Sequence, residues 1–444
     1  MSRNLLDGPV GTLMRSRLYP GVFRAVTTAV FALIMFQLLF GPEAVDENFG
    51  SALTWVLWWP LLPLALFVAG RAWCAVCPFG WVSDVVQKLV GLQRPVPRFL
   101  KRYGIWLIDA CFIGITWADH VFGVVASPWG SGVLLLGMTT AVVLSGALWQ
   151  RRAFCRYVCF LGGVQGNYSR AGLVELRADT SICETCSARA ACFNGSERAG
   201  PCPMFEFPRT MESSADCNLC ANCIKSCPND AIRVSVRKPS SELWFIRNPK
   251  LPESFLAAAI MGIVLVQNVT MLSIWPGMLD TIEGVTGTAS YYVTYTIAFA
   301  AAISLPLAAL ALASLFTGRL GGESTVRTFT RFGYALIPLD LAAHLAHNSF
   351  HLLAEGKSIV WTGLGLFGAE QPGGSAALLS TSTIRVLQFG LVAVGVAGSL
   401  YAARRIALNR EGPALLSLAP MSVMLVAFGV LNVLLITLPM SMRM

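Results

Sequence analysis

The stretch CNLCANCIKSCP, Cys217 to Pro228, constrains this chain more than any other segment of similar length. Its cysteines follow the spacing C-x2-C-x2-C-x3-C-P, which wraps one cubane iron–sulfur cluster and lends its last cysteine to a second. Three thiols two residues apart can face one small object only if the backbone curls around it. The proline after the fourth thiol ends the curl and releases Cys227 in another direction. Upstream, CETCSARAAC carries Cys183, Cys186 and Cys192, and Cys202 is itself followed by Pro203. The arrangement predicts two [4Fe-4S] clusters. Cys217, Cys220, Cys223 and Cys202 would hold one, and Cys183, Cys186, Cys192 and Cys227 the other. A zinc ribbon would use two C-x2-C knuckles and leave the remaining thiols and both Cys-Pro steps without a role.

Around this insert the chain is apolar. Of its 444 residues 55% are hydrophobic and only 13% charged, whereas a soluble domain carries roughly twice that charged fraction. Runs of about 20 apolar residues, enough to cross a bilayer, lie near 22–41, 53–70, 104–124, 131–149, 254–275, 291–316, 333–354, 384–402 and 414–438. The expectation is a mainly α, polytopic membrane protein of about nine helices with an inserted α+β domain like a two-cluster bacterial ferredoxin. Residues 1–169 would form a four-helix membrane region, 170–238 the ferredoxin-like domain, and 239–444 a five-helix membrane region. Within the insert, Gly172–Arg177 and Ala231–Val236 alternate as short strands do.

Charge sets the orientation. With the N-terminus inside, the inner connections and adjoining span ends hold all of the 33 basic residues except Lys357, Arg385 and Arg443, as the positive-inside rule requires. The predicted location is a bacterial inner (cytoplasmic) membrane, with the N-terminus and ferredoxin domain cytoplasmic and the C-terminus outside. Thiols stay reduced on that side. The net charge of +9 is then an orientation signal and not a nucleic-acid footprint. No glycine-rich loop precedes a helix to bind a dinucleotide.

Two further cysteine pairs sit where spans reach the inner face. RAWCAVCPFGWV carries Cys74 and Cys77, and RAFCRYVCFLGGV carries Cys155 and Cys159. The shared pattern is Arg-Ala-aromatic-Cys, a short gap, Cys, two residues, Gly. It marks a tandem duplication of helix–helix–cysteine pair. On continuous helices the pairs would stand at i,i+3 and i,i+4, each on one face. Four thiols suffice for another thiolate-ligated centre, a metal ion or redox-active pairs.

This combination resembles the membrane-bound polyferredoxins of the NapH/NosR type over roughly residues 20–240. In that family two C-x3-C-P motifs follow membrane spans and precede a two-cluster ferredoxin module. Here the first pair is C-x2-C-P and the second C-x3-C-F. Relatives of this type include quinol-oxidising subunits of nitrate reduction, nitrous-oxide respiration proteins and copper-reducing oxidase assembly proteins. The resemblance therefore implies a quinone pool or a redox protein as partner.

The run at 333–354 contributes something the resemblance does not. Asp340, His344, His347, His351 and Glu355 recur at steps of four, three, four and four, forming one helical stripe. His120, beside Asp119, falls at a comparable predicted depth near the outer end of the third span. Ionisable residues inside a membrane are costly and point to function. Four readings remain open: haem b held by a stripe histidine and His120, a copper site, a quinone or proton site using Asp340, or a hydrogen-bonded helix contact.

Together these features predict a membrane-bound iron–sulfur electron-transfer protein. It would relay electrons between cytoplasmic-face clusters and a quinone pool or an outer-face redox centre of a respiratory pathway, as a component of a quinol-linked oxidoreductase. The alternative is an assembly or regulatory factor of a metalloenzyme, for example one that reduces copper.

Overall fold

In a bilayer every backbone amide must find its partner within the chain, so apolar runs become helices. The computed structural model describes residues 4–188, 190–369, 372–409 and 414–441. Arg3, Arg189, Arg410 and Arg443 of the charge count lie outside the described residues. In chain order, the elements that position the sites begin with α1 (Gly21–Phe40), α2 (Phe49–Ala69), α3 (Ala72–Val76), α4 (Pro78–Val90), α5 (Arg98–Phe122), α6 (Pro128–Leu148), α7 (Ala153–Tyr157) and α8 (Phe160–Ala171). Strands β1 (Val174–Ala178) and β2 (Ile232–Val236) follow. The chain ends in α9 (Leu251–Thr270), α10 (Tyr291–Gly321), α11 (Ile337–Glu355), α12 (Thr381–Leu408) and α13 (Ala414–Thr437).

Eight of these are long and apolar enough to cross a membrane: α1, α2, α5, α6, α9, α10, α12 and α13. The protein is thus mainly helical and polytopic. The run read as a ninth span forms α11, entered through a 3-10 turn at Gly333–Leu336. It does not join the eight, because Asp340 and the three histidines lower its hydropathy.

The chain falls into two compact units. The first comprises Met1–Pro42, Leu64–Cys111 and Pro128–Glu242. Here α1 and α6 pack closely: a methyl group on Gly132 would meet Leu39 Cδ2 at 2.7 Å. Strands β1 and β2 pair antiparallel with Leu176 opposite Val234. Those two side chains, with Leu219, Ile224 and Ile232, bury a small core that also takes Leu6 and Met14 from the N-terminal segment. That segment is tied on twice more, since Tyr19 Oη donates to Leu219 O at 2.8 Å and Lys225 Nζ donates to Tyr19 O.

A buried ionic hub closes this unit. Glu242 pairs with Arg237 and Arg177 and accepts from Ser213 Oγ and from the Ser214 amide. Arg237 in turn donates to the carbonyls of Gly172, Ser169 and Arg170 at the end of α8. Such a group is tolerable in the interior only because nearly every donor and acceptor has a partner.

The second unit comprises Glu43–Pro63, Phe112–Ser127 and Leu243–Met444. Helix α9 is its most buried span. The stripe helix α11 lies against α12 at small residues. A methyl group on Gly395 would sit 2.5 Å from Ala342 Cβ, and one on Gly398 would sit 3.1 Å from Pro338 Cβ. Small residues of this kind let membrane helices approach closely. Two hydrogen bonds add to the contact: Leu339 N to Ser399 Oγ at 3.0 Å, and Gln388 Nε2 to Ala346 O at 2.9 Å.

Candidate metal centres

All thirteen cysteines are free thiols, and twelve of them fall into three groups within the first unit. Cys183, Cys186, Cys192 and Cys227 ring one cavity of about 410 Å³, mouth included, together with Phe207, Arg209 and Pro228. Cys202, Cys217, Cys220 and Cys223 ring a second of about 360 Å³. The local backbone explains the convergence. Leu219 and Ala221, on either side of Cys220, take φ of 51° and 65°. Side chains rarely accept that left-handed conformation, and here it turns successive thiols inward. Cys223 then lies in the first turn of the short helix Asn222–Ser226, and Cys227 leaves it in extended backbone before Pro228, as a residue preceding proline should. The Ala231 amide donates to Cys227 Sγ at 3.3 Å, the kind of N–H to sulfur contact that tunes a cluster's potential.

Burial raises six of these thiols, Cys183, Cys192, Cys202, Cys217, Cys220 and Cys223. Desolvation pushes Cys217 up to about 12, against an ordinary value of 9.0. Desolvation and the neighbouring Cys220 push Cys202 up to about 11. Burial favours the neutral form of those six thiols, and binding iron means releasing their protons. The donor sets fit [4Fe-4S] clusters in number, chemistry and enclosure. When bound, such clusters supply single-electron redox chemistry, and the protein's part is to hold and insulate them.

The third group lies at the ends of the repeated helix pairs. Neither cysteine pair lies on one continuous helix, so the i,i+3 and i,i+4 spacings do not apply. Cys74 lies in α3, but Cys77 is extended (φ −60°, ψ 132°) at the break before α4. Cys155 lies in α7, and Cys159 (φ −59°, ψ 112°) occupies the equivalent break before α8. In the first repeat Pro78 forces the break. The carbonyls of α3 are satisfied from other elements: Cys74 O by Arg152 Nη1 at 3.1 Å, Ala75 O by Arg24 Nε at 2.7 Å, and Val76 O by Thr27 Oγ1. Cys77, Cys155 and Cys159 pack around one apolar cluster of Phe79, Met138, Val142 and Phe154. Cys74 Sγ meets Gln165 Oε1 and lies 3.7 Å from Arg71 Nη2. Desolvation, then the charges of Cys74 and Cys155, raise Cys77 to about 12. Desolvation also raises Cys155 to about 11, although Arg152 opposes the shift.

The histidine stripe belongs to the second unit. Asp340 is fully buried, and neither of its carboxyl oxygens has a hydrogen-bond partner among the described residues. His344 is buried with its ring 5.9 Å from Trp59. His347 Nδ1 pairs with Asn268 Oδ1 at 2.9 Å, its ring is 5.3 Å from that of His351, and His351 Nδ1 lies 3.3 Å from Glu355. His120 has other company: it stacks on Tyr295 at 5.2 Å and contacts Thr116 O and Asp119.

Among the described residues, no three His, Cys, Asp or Glu side chains draw together tightly enough for a single metal ion. A lone zinc with sulfur ligands at about 2.3 Å would hold its thiolates about 4 Å apart. A four-iron cluster is a wider object and does not need its thiolates that close.

Residues 51–97 and 131–177 each match a family described as a 4Fe-4S binding domain. Each stretch covers the second span and the cysteine pair of one repeat. The chain is 27% identical over 200 residues to a protein of Escherichia coli (strain K12) named for electron transport, YccM, covering 38% of this chain and 53% of that protein. It is also 27% identical over 180 residues to the uncharacterized protein MJ0749 of Methanocaldococcus jannaschii, covering 38% of this chain and 66% of that one. The chain therefore spans only about half to two-thirds of these relatives. No solved structure matches.

Proposed function

We propose that this protein is a membrane-embedded iron–sulfur electron carrier of the NapH/NosR type, linking clusters held by its polar insert to a quinone or a redox-protein partner. The observation that carries this reading is the pair of cavities, each ringed by four thiols, in an insert between membrane-spanning helices. The matches to 4Fe-4S binding domains and to a relative named for electron transport support it. Cubane clusters exchange one electron at a time with little rearrangement, so a protein that holds them buried and close together is a conductor. The protein supplies position and insulation; the chemistry belongs to the clusters.

Quinol oxidation also releases protons, and the stripe offers groups to take them. Asp340 and His344 are buried and titratable, and the line continues through His347 and His351 to the part-exposed Glu355. Buried ionisable groups within a membrane domain are costly unless used. The experiment follows cluster reduction by a water-soluble quinol in anaerobic protein, comparing wild type with Asp340→Asn. The expected result is a rate roughly a hundredfold lower in the variant, with reduction by dithionite unchanged. Equal quinol rates would remove Asp340 from the proton path. A wild type whose clusters ignore quinol would replace the quinone with a protein partner.

A further inference from the structure

Each stretch that matches a 4Fe-4S binding domain contains only two cysteines: Cys74 and Cys77 in the first, Cys155 and Cys159 in the second. A cubane needs four thiolates, so neither copy can hold one alone. We propose that the two copies together form a single site, and that Cys74, Cys77, Cys155 and Cys159 jointly bind a third [4Fe-4S] cluster. This rests on the iron–sulfur reading above and extends it to a centre that neither repeat encodes by itself.

The geometry of the repeat supports joint ligation. The shared pattern ends in a glycine three residues after its second cysteine, Gly80 in one copy and Gly162 in the other. A methyl group on Gly80 would meet Arg152 Nη1 at 2.5 Å, and one on Gly162 would lie 3.8 Å from Arg71 Nη2. Arg71 and Arg152 are the equivalent leading arginines of the two copies. Gly80 thus leaves room for the arginine of the other copy, while Arg71 approaches Gly162 at ordinary contact distance. The two copies thus face each other through equivalent positions, as the halves of a two-fold interface do, with the tighter contact at Gly80. Around this contact, three of the four thiols share one apolar cluster, and the fourth touches Arg71.

The surrounding polar groups call for an anion. Arg71 and Arg152 are 3% and 1% exposed. Arg152 and Arg24 share a single carboxylate, Asp84, at 2.6 and 3.2 Å, which leaves one positive charge over. Arg71 Nε is buried and has no hydrogen-bond partner among the described residues. A buried, uncompensated cation is costly. A cluster bound by four thiolates carries net negative charge and exposes sulfides that accept N–H bonds, so it would satisfy both deficits. On loading, each of the four thiols loses its proton and forms one sulfur–iron bond. A single metal ion would need the thiols closer together, and they do not converge to that degree. The position also suits a relay. Arg71 donates to Ala215 O and lies 3.9 Å from Asp216, and these two residues directly precede Cys217 of the insert's nearer cluster.

The test is a count of iron and acid-labile sulfide in anaerobically purified full-length protein, with low-temperature EPR. Three clusters require roughly twelve of each per chain, and the insert alone roughly eight. Cys74→Ala/Cys77→Ala and Cys155→Ala/Cys159→Ala should each lower iron from about twelve to about eight while leaving the insert's two signals intact. Eight irons in wild type, or eight with one zinc or copper, would overturn the third cluster and leave the electron-carrier reading standing. Near-zero iron would sink both. If twelve irons are found and each pair's removal costs only about two of them, the pairs act separately and joint ligation is wrong. Should both double variants fail to fold, the wild-type count still decides. Arg71→Gln, which keeps all four thiols, should then change one EPR signal of three.

Discussion

Glu242 shows how a single side chain secures the insert. Burial alone would raise its carboxyl pKa, but Arg237, Arg177, Ser213 and Arg170 more than offset this and hold it below the ordinary 4.5. Because the folded-state value is lowered, its contribution is fully present above the usual carboxylate range and is lost as pH falls through the lowered value. Glu242→Gln removes that charge and leaves Arg237, which is 5% exposed, with Glu175 at 3.7 Å as its carboxylate partner. Losing one partner of a buried pair costs about 3 kcal/mol or more. Thermal unfolding of the purified variant should show that loss at neutral pH and a weaker dependence on acid than wild type. An unchanged midpoint would mean that the hub is dispensable.

Elements differ in how far their sequence discloses them. The curl of Cys217–Cys223 and the separate course of Cys227 are legible, because three thiols two residues apart admit few backbones and Pro228 ends the turn. The break at Cys77 is announced by Pro78. The equivalent break at Cys159 has no proline, and only the duplication could have suggested it. The packing of Leu6, Met14 and Tyr19 beneath the insert has no local signal, since those residues read as an ordinary inner segment. Trp59 and Asn268 beside the stripe are unreadable for a similar reason: they come from distant helices. The thiol-bearing elements also carry a pH signature. Cys77, Cys155, Cys202 and Cys217 have pKa values raised to about 12, 11, 11 and 12 by burial. A raised value means that stability is present below the ordinary 9.0 and lost as pH climbs through the raised one. Cluster-free protein should therefore lose stability between pH 9 and about 11 to 12, as followed by circular dichroism. Loaded protein, with its thiolates already bound to iron, should not show this loss. Identical alkaline profiles would argue that these thiols do not ligate.

At the scale of the whole molecule, composition disclosed the class, since 13% charged residues leave little surface for a soluble fold. It could not disclose that Arg152 of one repeat fills the gap at Gly80 of the other, because that is a property of how two copies face one another. The stripe's polarity was visible, but the ninth crossing assigned to it did not hold to the standard of the other eight. Its position in a unit separate from the thiols is a feature of the fold alone. The claim that organises all of this is that the insert holds clusters that take up electrons. Low-temperature EPR of anaerobically purified protein, before and after dithionite, tests it most directly. Signals of the insert's two reduced [4Fe-4S] clusters should appear on reduction, broadened by coupling between neighbouring clusters and lost when Cys220 and Cys227 are replaced by serine, with only the signal of the proposed third cluster left. Iron-loaded protein that stays silent on reduction, or in which all signals survive those replacements unchanged, would contradict the account.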